Sequence, residues 1–172
     1  MRCGGVTVIL LLALLCIQDT TAKSRSEILG ICLRQYPARK CGAPEWYRMS
    51  GNRCIKLFWK TREPYIDARR ICRKEGGDLV SMHNVEEYSQ VLCLVARSFK
   101  NLLRVWVGGQ RGTNYHFKWS DGTPWKFTRW APRQPDFFFL HEFCVEMNYG
   151  DWGRWNDNYC MDRKAFVCAR KG

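Results

Sequence analysis

The chain has 172 residues, 46% of them hydrophobic, which suits one folded domain and excludes a wholly disordered chain. Its net charge of +12 favours acidic surfaces such as sulfated glycans, anionic lipid or bacterial envelopes, but no nucleic-acid-binding module is recognisable, so nucleic acid is not an expected partner. Ten cysteines and eight tryptophans are the unusual counts, and a short cysteine-rich chain points to an oxidising compartment.

Residues 1–22 read as a secretory signal peptide. Arg2 supplies the positive charge, Val6 to Ile17 form an apolar run, and Thr20-Thr21-Ala22 offers small residues for cleavage. The run is too short to span a bilayer comfortably, so a secreted, extracellular product is expected. Cleavage after Ala22 removes Cys3 and Cys16. The cysteines that remain are Cys32, Cys41, Cys54, Cys72, Cys93, Cys144, Cys160 and Cys168, an even count that reads as disulfides whose pairing stays open at this point. With no Cys-x-x-Cys pair and only His83, His116 and His141, far apart, the spacing does not suit zinc.

Residues 23–40 form a basic leader in which little structure is expected, and 41–172 read as one domain. Pro64 suits a first helical turn. Tyr65, Ala68 and Cys72 then share one face, and Gly76-Gly77 ends the helix. A second helix starts at Asn84, with Glu87 three residues on as in a capping box, and carries the stripe Tyr88, Val91, Leu92, Val95 and Phe99. Strand patterns follow at Val105–Val107, at Tyr115-Phe117-Trp119, at Phe143-Val145-Met147 and at Ala165–Val167. Between them, 120–142 is an irregular stretch holding Pro124, Pro132 and Pro135, and a long loop in a compact domain is often functional. The order gives an α+β fold of two helices, strands and a long loop.

Oxygen-bearing side chains cluster late in the chain. Gln134-Pro135-Asp136 presents an amide and a carboxylate around a proline, Glu142 follows, and Trp155-Asn156-Asp157 brings another adjacent amide and carboxylate. Calcium takes six to eight oxygen ligands, so these five side chains would leave positions for exogenous hydroxyls. Solvated loop acids would show the same composition. No catalytic triad is suggested: Ser81 and His83 are close in sequence but lack an oriented third member. Asp136 and Glu142 could in principle act as a carboxylate pair.

The segment 41–172 resembles a C-type lectin-like domain. The resemblance is carried by Cys41, Trp46 and Cys54; by Ala68, Cys72 and Gly77-Asp78-Leu79-Val80-Ser81; by Trp106-Val107-Gly108 and Trp119-Ser120-Asp121-Gly122; and by Cys144-Val145, Trp155-Asn156-Asp157, Cys160 and Phe166-Val167-Cys168. The layout is most similar to fish and snake-venom galactose-binding lectins.

That resemblance implies a disulfide-stapled fold with two helices, small antiparallel sheets and a long calcium-binding loop. It implies the pairs Cys41–Cys54, Cys72–Cys168 and Cys144–Cys160. Cys32 and Cys93 fall outside these pairs, and an internal bond between them is favoured over a bridge between chains. The resemblance also implies Ca2+ as cofactor, with Gln134, Asp136, Glu142, Asn156 and Asp157 as ligands and a cis Gln134-Pro135 peptide. The same side chains would hold two vicinal hydroxyls of a galactose-type sugar, with Phe138 against its apolar face. The order amide-then-acid at 134 and 136 matches the galactose class; mannose binders carry Glu-Pro-Asn. The implied partners are galactose-containing glycans on cell or microbial surfaces, with anionic surfaces and a homodimer as further options, and no enzymatic activity is implied. The run Phe137-Phe138-Phe139-Leu140 departs from the usual polar loop, and Phe137 and Phe143 replace acids that form an auxiliary calcium site in some relatives. The alternative is a lectin-like protein without sugar binding, either an antifreeze protein or a venom or antimicrobial protein acting on membranes or proteins.

Overall fold

Ser24 sets the start of the first element. Its hydroxyl accepts from the Glu27 N–H at 3.3 Å, and the Glu27 carboxylate accepts from the Ser24 N–H at 2.7 Å, closing a capping box. Helix α1, Arg25–Gln35, follows in a computed structural model that describes residues 23–172; the expected signal peptide lies outside the described residues. The leader expected to lack structure is therefore largely helical. Its basic composition hid the cap and the i, i+4 pair Ile28 and Cys32, both buried. The pair faces α3, Val85–Ser98, to which Cys32 is bonded through Cys93. Arg25 donates to the carbonyls of Ala96 and Phe99, and Arg97 returns the contact to the carbonyls of Cys32 and Tyr36, so each cation sits at the carbonyl end of the other helix.

The expected helices are present with adjusted ends. Pro64 is the N-cap of α2, Tyr65–Lys74, one residue outside the expected position, and Gly76, with a φ of +85°, turns the chain out of it. The Asn84 side chain accepts from the Glu87 N–H at 2.9 Å, capping α3. The Glu87 carboxylate does not close the box. It accepts from the His83 N–H and pairs with Arg53 at 2.8 Å, because Arg53 is brought beside it by the sheet.

The strands are β1 (Tyr47–Met49), β2 (Arg53–Glu63), β3 (Gly77–Leu79), β4 (Val105–Arg111), β5 (Phe117–Trp119), β6 (Glu142–Met147), β7 (Trp155–Tyr159) and β8 (Lys164–Lys171). They form one eight-stranded sheet of order β1-β2-β8-β4-β6-β7, with β3 on β8 and β5 on β4, rather than the small antiparallel sheets expected. The terminal strand β8 enters between β2 and β4 and runs parallel to β4, pairing Val105 with Ala165, which joins the two halves. Such long-range pairing leaves no local trace in the sequence. All three disulfides implied by the resemblance are formed, and Cys32–Cys93 is a fourth, internal one. Cys32–Cys93 and Cys72–Cys168 close separations of 61 and 96 residues. In the chain-entropy description each contributes about 4–5 kcal/mol by restricting the unfolded chain.

The core positions the long loop. Trp106, Trp119 and Trp155 are fully buried, as their apolar bulk predicts. Trp125 and Trp130, from the loop, pack against Trp119 and Trp155. Two backbone bonds then fasten the loop to the start of β7: Ala131 N–H to the Trp155 carbonyl at 2.8 Å, and Trp155 N–H to the Arg129 carbonyl at 2.9 Å. Residues 134–136 leave this anchor directly beside Asp157.

Candidate metal centre and sugar site

The Gln134-Pro135 peptide is cis, as the resemblance implies, and the two flanking side chains meet: the Gln134 amide nitrogen donates to Asp136 Oδ2 at 3.0 Å. The Asp157 carboxylate accepts from the backbone N–H groups of Asp136, at 3.2 Å, and Phe137, at 3.0 Å. Glu142 accepts from the Phe138 N–H at 3.0 Å. Loop and sheet are thus tied together by backbone donors, and the carboxylates of Asp136, Glu142 and Asp157 each bring an oxygen within 4.8 Å of the other two.

Three acids this close repel one another. Burial first, then the hydrogen bond with Asp136 and the charges of Asp157 and Asp136, push the Glu142 carboxyl up to about 7. Burial also raises Asp157, with Asp136 adding to it and the backbone donors opposing. Among the described residues no Lys or Arg forms an ion pair with any of the three. Arg111, at the end of β4, is occupied otherwise. It donates to the carbonyls of Glu142 and Leu140, both at 3.0 Å, and its guanidinium lies 4.2 to 4.9 Å from the rings of Phe143, Phe137 and Tyr115. Arg111 braces the loop from behind. Nothing in its sequence context, at the end of an apolar strand, marks it for that role.

The donor chemistry fits a hard divalent cation. Every side-chain atom on offer is oxygen, the acids are uncompensated, and the Gln134 carbonyl oxygen accepts only from the Asp136 N–H at 3.1 Å. Asn156 is placed differently from Asp157. On β7 successive side chains alternate, with Asp157 opposite Val145 and Asn156 opposite Glu146. The Asn156 amide nitrogen donates to the buried Glu146 at 2.9 Å, as does that of Asn158 at 3.1 Å. Of the five expected ligands, the structure brings Gln134, Asp136, Glu142 and Asp157 together, whereas Asn156 commits its NH2 to Glu146. Glu146 escaped notice because it sits in a strand pattern that reads as core.

The aromatic residues divide. Phe137 and Phe143 turn toward Arg111. Phe138 is exposed beside Glu142, its ring touching that of Phe139 edge-on at 4.4 Å. Ser81 is buried with its hydroxyl directed at Asp121, so it forms no triad with His83.

A family model described as the lectin C-type domain matches residues 61–170. The chain belongs to the C-type lectin domain family. It is 33% identical over 140 residues to the C-type isolectin Sp-CL4 of Scorpaena plumieri, covering 77% of this chain and 96% of that one. It is 29% identical over 143 residues to the galactose-specific lectin nattectin of Thalassophryne nattereri, covering 83% and 89%. Among solved structures, herring type II antifreeze protein superposes with a TM-score of 0.68 at 31% identity, over 77% of this chain and 99% of that one. The family fold thus accommodates both sugar-binding and antifreeze proteins.

Proposed function

We propose that this domain is a secreted, calcium-dependent lectin for galactose-type glycans on cell or microbial surfaces. The observation that carries the reading is the uncompensated trio Asp136, Glu142 and Asp157 beside a Gln134-Asp136 pair held in amide-then-acid order. When bound, calcium would supply coordination positions for two adjacent sugar hydroxyls. The chain's own side chains do the rest. Gln134 can donate through its NH2, Asp136 can only accept, and their order favours one arrangement of hydroxyl protons and lone pairs over its mirror. Phe138 offers an exposed ring to the sugar's C–H face. Asp136 and Glu142 are read as metal ligands rather than as an acid/base pair, which makes the protein a binding module and not an enzyme. The relative named as galactose-specific supports the sugar class.

Retention on a galactose resin tests the reading: it should be complete in calcium and vanish in EDTA, and equal retention in both would sink it. Exchanging Gln134→Glu with Asp136→Asn keeps the oxygens and reverses donor and acceptor. Mannose should then compete better than galactose. The likeness to herring antifreeze protein favours a second reading, ice binding, which thermal hysteresis would reveal.

A further inference from the structure

Helix α1 lies outside residues 61–170, the part of the chain that the family model matches. Docked on α3 through Cys32–Cys93, it walls a cleft of about 730 Å³ whose other sides are α3, residues 129–132 and the turn 149–154. Sites for small organic ligands run from roughly 300 to 1,000 Å³. The walls are fixed by the fold. The disulfide pins α1, and Asn148 ties down the turn: its side-chain oxygen accepts from the Gly153 N–H at 2.7 Å, and its amide donates to the Leu103 carbonyl at 2.8 Å. Gly153, with a φ of +80°, lies so close to α3 that a Cβ there would overlap the Tyr88 phenol.

Two kinds of surface meet in the cleft. Ile28, Ile31, Val85, Leu92 and Trp152 supply apolar area from α1, α3 and the turn, and Lys23, Arg129 and Arg154 supply positive charge. Asp151 is the one acid in the lining, and its carboxylate accepts from the Trp152 N–H at 2.7 Å. Among the described residues none of the three bases forms an ion pair. The Arg129 guanidinium lies 5.0 Å from the centre of the Tyr88 ring. Burial pushes the Tyr88 hydroxyl up; Arg129, by hydrogen bond and charge, and Arg154, by charge, oppose the rise, so both cations act at one point of the wall. No lining side chain belongs to the acidic trio or to the Gln134-Asp136 pair, so this is a second site. Apolar walls with three bases against one acid match a ligand that has an anionic head and an apolar body. We infer that the cleft binds a small amphiphilic organic anion, its carboxylate or sulfate on Arg129 and Arg154 and its body against Ile31, Leu92 and Trp152. The inference does not depend on the galactose reading.

Anilinonaphthalene sulfonate is a fluorescent probe of this class, and phenylnaphthylamine has the same body without the charge. Titrations in EDTA take the proposed calcium site out of play. Wild-type protein should bind the sulfonate at a single saturable site, and the neutral analogue at least about tenfold more weakly, as the loss of one hydrogen-bonded charge implies. Arg129→Gln with Arg154→Gln alters two exposed side chains. It should weaken the sulfonate by about tenfold or more and leave the neutral analogue within about twofold. Val85 is 56% exposed in the lining, so a charge is tolerated there: Val85→Glu should weaken the sulfonate and Val85→Lys should not, at equal melting temperatures. Dodecanoate should displace the bound sulfonate, whereas galactose sulfate, an anion without an apolar body, should not. Equal affinity of the wild type for the two probes would overturn the inference, as would equal sulfonate binding by wild type and the arginine variant. Displacement by galactose sulfate and not by dodecanoate would also overturn it, assigning the cleft to a charged glycan. So would loss of the signal in Phe139→Ser with Leu140→Ser, which would place the probe on that exposed loop.

Discussion

Strands β6 and β7 carry acids on both faces, and the two faces resolve the charge in different ways. On one, Glu146 is fully buried and surrounded by its own counter-groups: Arg104 bonds both carboxylate oxygens, Lys164 lies at 3.2 Å, and the amides of Asn156 and Asn158 donate to it. On the other, Asp136, Glu142 and Asp157 crowd together with backbone N–H groups and no basic side chain. A buried charge persists where the chain supplies its partner. The first cluster is complete as folded, whereas the second has no basic partner among the described residues, and in the proposed reading its positive partner comes from outside.

The widest separation between the two faces should appear in stability. Glu146→Gln removes the anion that Arg104 and Lys164 share, leaving Lys164 only Asp162 at 3.2 Å, and should destabilise the fold by about 2–3 kcal/mol, as losing hydrogen bonds to a buried charge does. Urea titrations should find the same loss in calcium and in EDTA. Asp157→Asn should behave in the opposite manner. In EDTA it relieves repulsion and should leave stability unchanged or slightly higher, while the gain that calcium gives wild type, about 2.7 kcal/mol at a hundredfold excess over Kd, should disappear. An Asp157→Asn protein that calcium still stabilises fully would place the metal elsewhere.

A smaller effect follows from the raised carboxyls. Glu142, pushed up to about 7 without a cation, holds its proton to higher pH in the folded chain than in the unfolded one, and Asp157 is shifted in the same direction. Their contribution to stability is therefore fully present below the ordinary carboxylate range and is lost as pH rises toward 7, the reverse of a paired carboxylate. In EDTA the melting temperature should fall across that window. In saturating calcium the fall should be absent at the upper end, where the cation takes the proton's place. A melting temperature in EDTA that rises from pH 5 to about 7 would mean that other groups dominate the titration.

The two clusters also differ in how legible they were. Gln134, Asp136 and Glu142 stood out as oxygens in an irregular, proline-marked stretch and Asp157 by its adjacency to Asn156, and the resemblance to C-type lectins implied their common role. Glu146 did not: one acid in an apolar alternation gives no sign that Arg104, just before β4, and Lys164, at the start of β8, will neutralise it. Asn156 shows the limit from the other side. Its adjacency to Asp157 suggests a shared role, yet a strand sends neighbouring side chains to opposite faces, and only the register of β6 against β7 reveals that the Asn156 amide meets Glu146. In α1 the decisive signals were three residues apart, Ser24 and Glu27, inside a segment whose overall composition reads as a loose basic tail. The cores of α2 and α3 were legible because their periodic stripes are long enough to outweigh composition.

The finest test concerns Phe138, which stands between the acidic cluster and the exposed side chains of Phe139 and Leu140. Its backbone N–H belongs to the cluster, bonded to Glu142 at 3.0 Å and to Asp136 at 3.3 Å, whereas its ring is exposed. Phe138→Ala removes the ring and keeps the N–H, so calcium affinity should change little. If the ring covers the apolar face of galactose, binding should weaken by about 1–2 kcal/mol, the worth of much of an aromatic contact. Phe139→Ala is the matched control, exposed and adjacent but bonded to neither acid through its N–H. Calorimetric titrations with galactose and, separately, with calcium resolve the two halves of the residue. A loss of calcium affinity would show that the ring holds the loop in place for the carboxylates, and unchanged binding of both ligands would show that the ring serves neither.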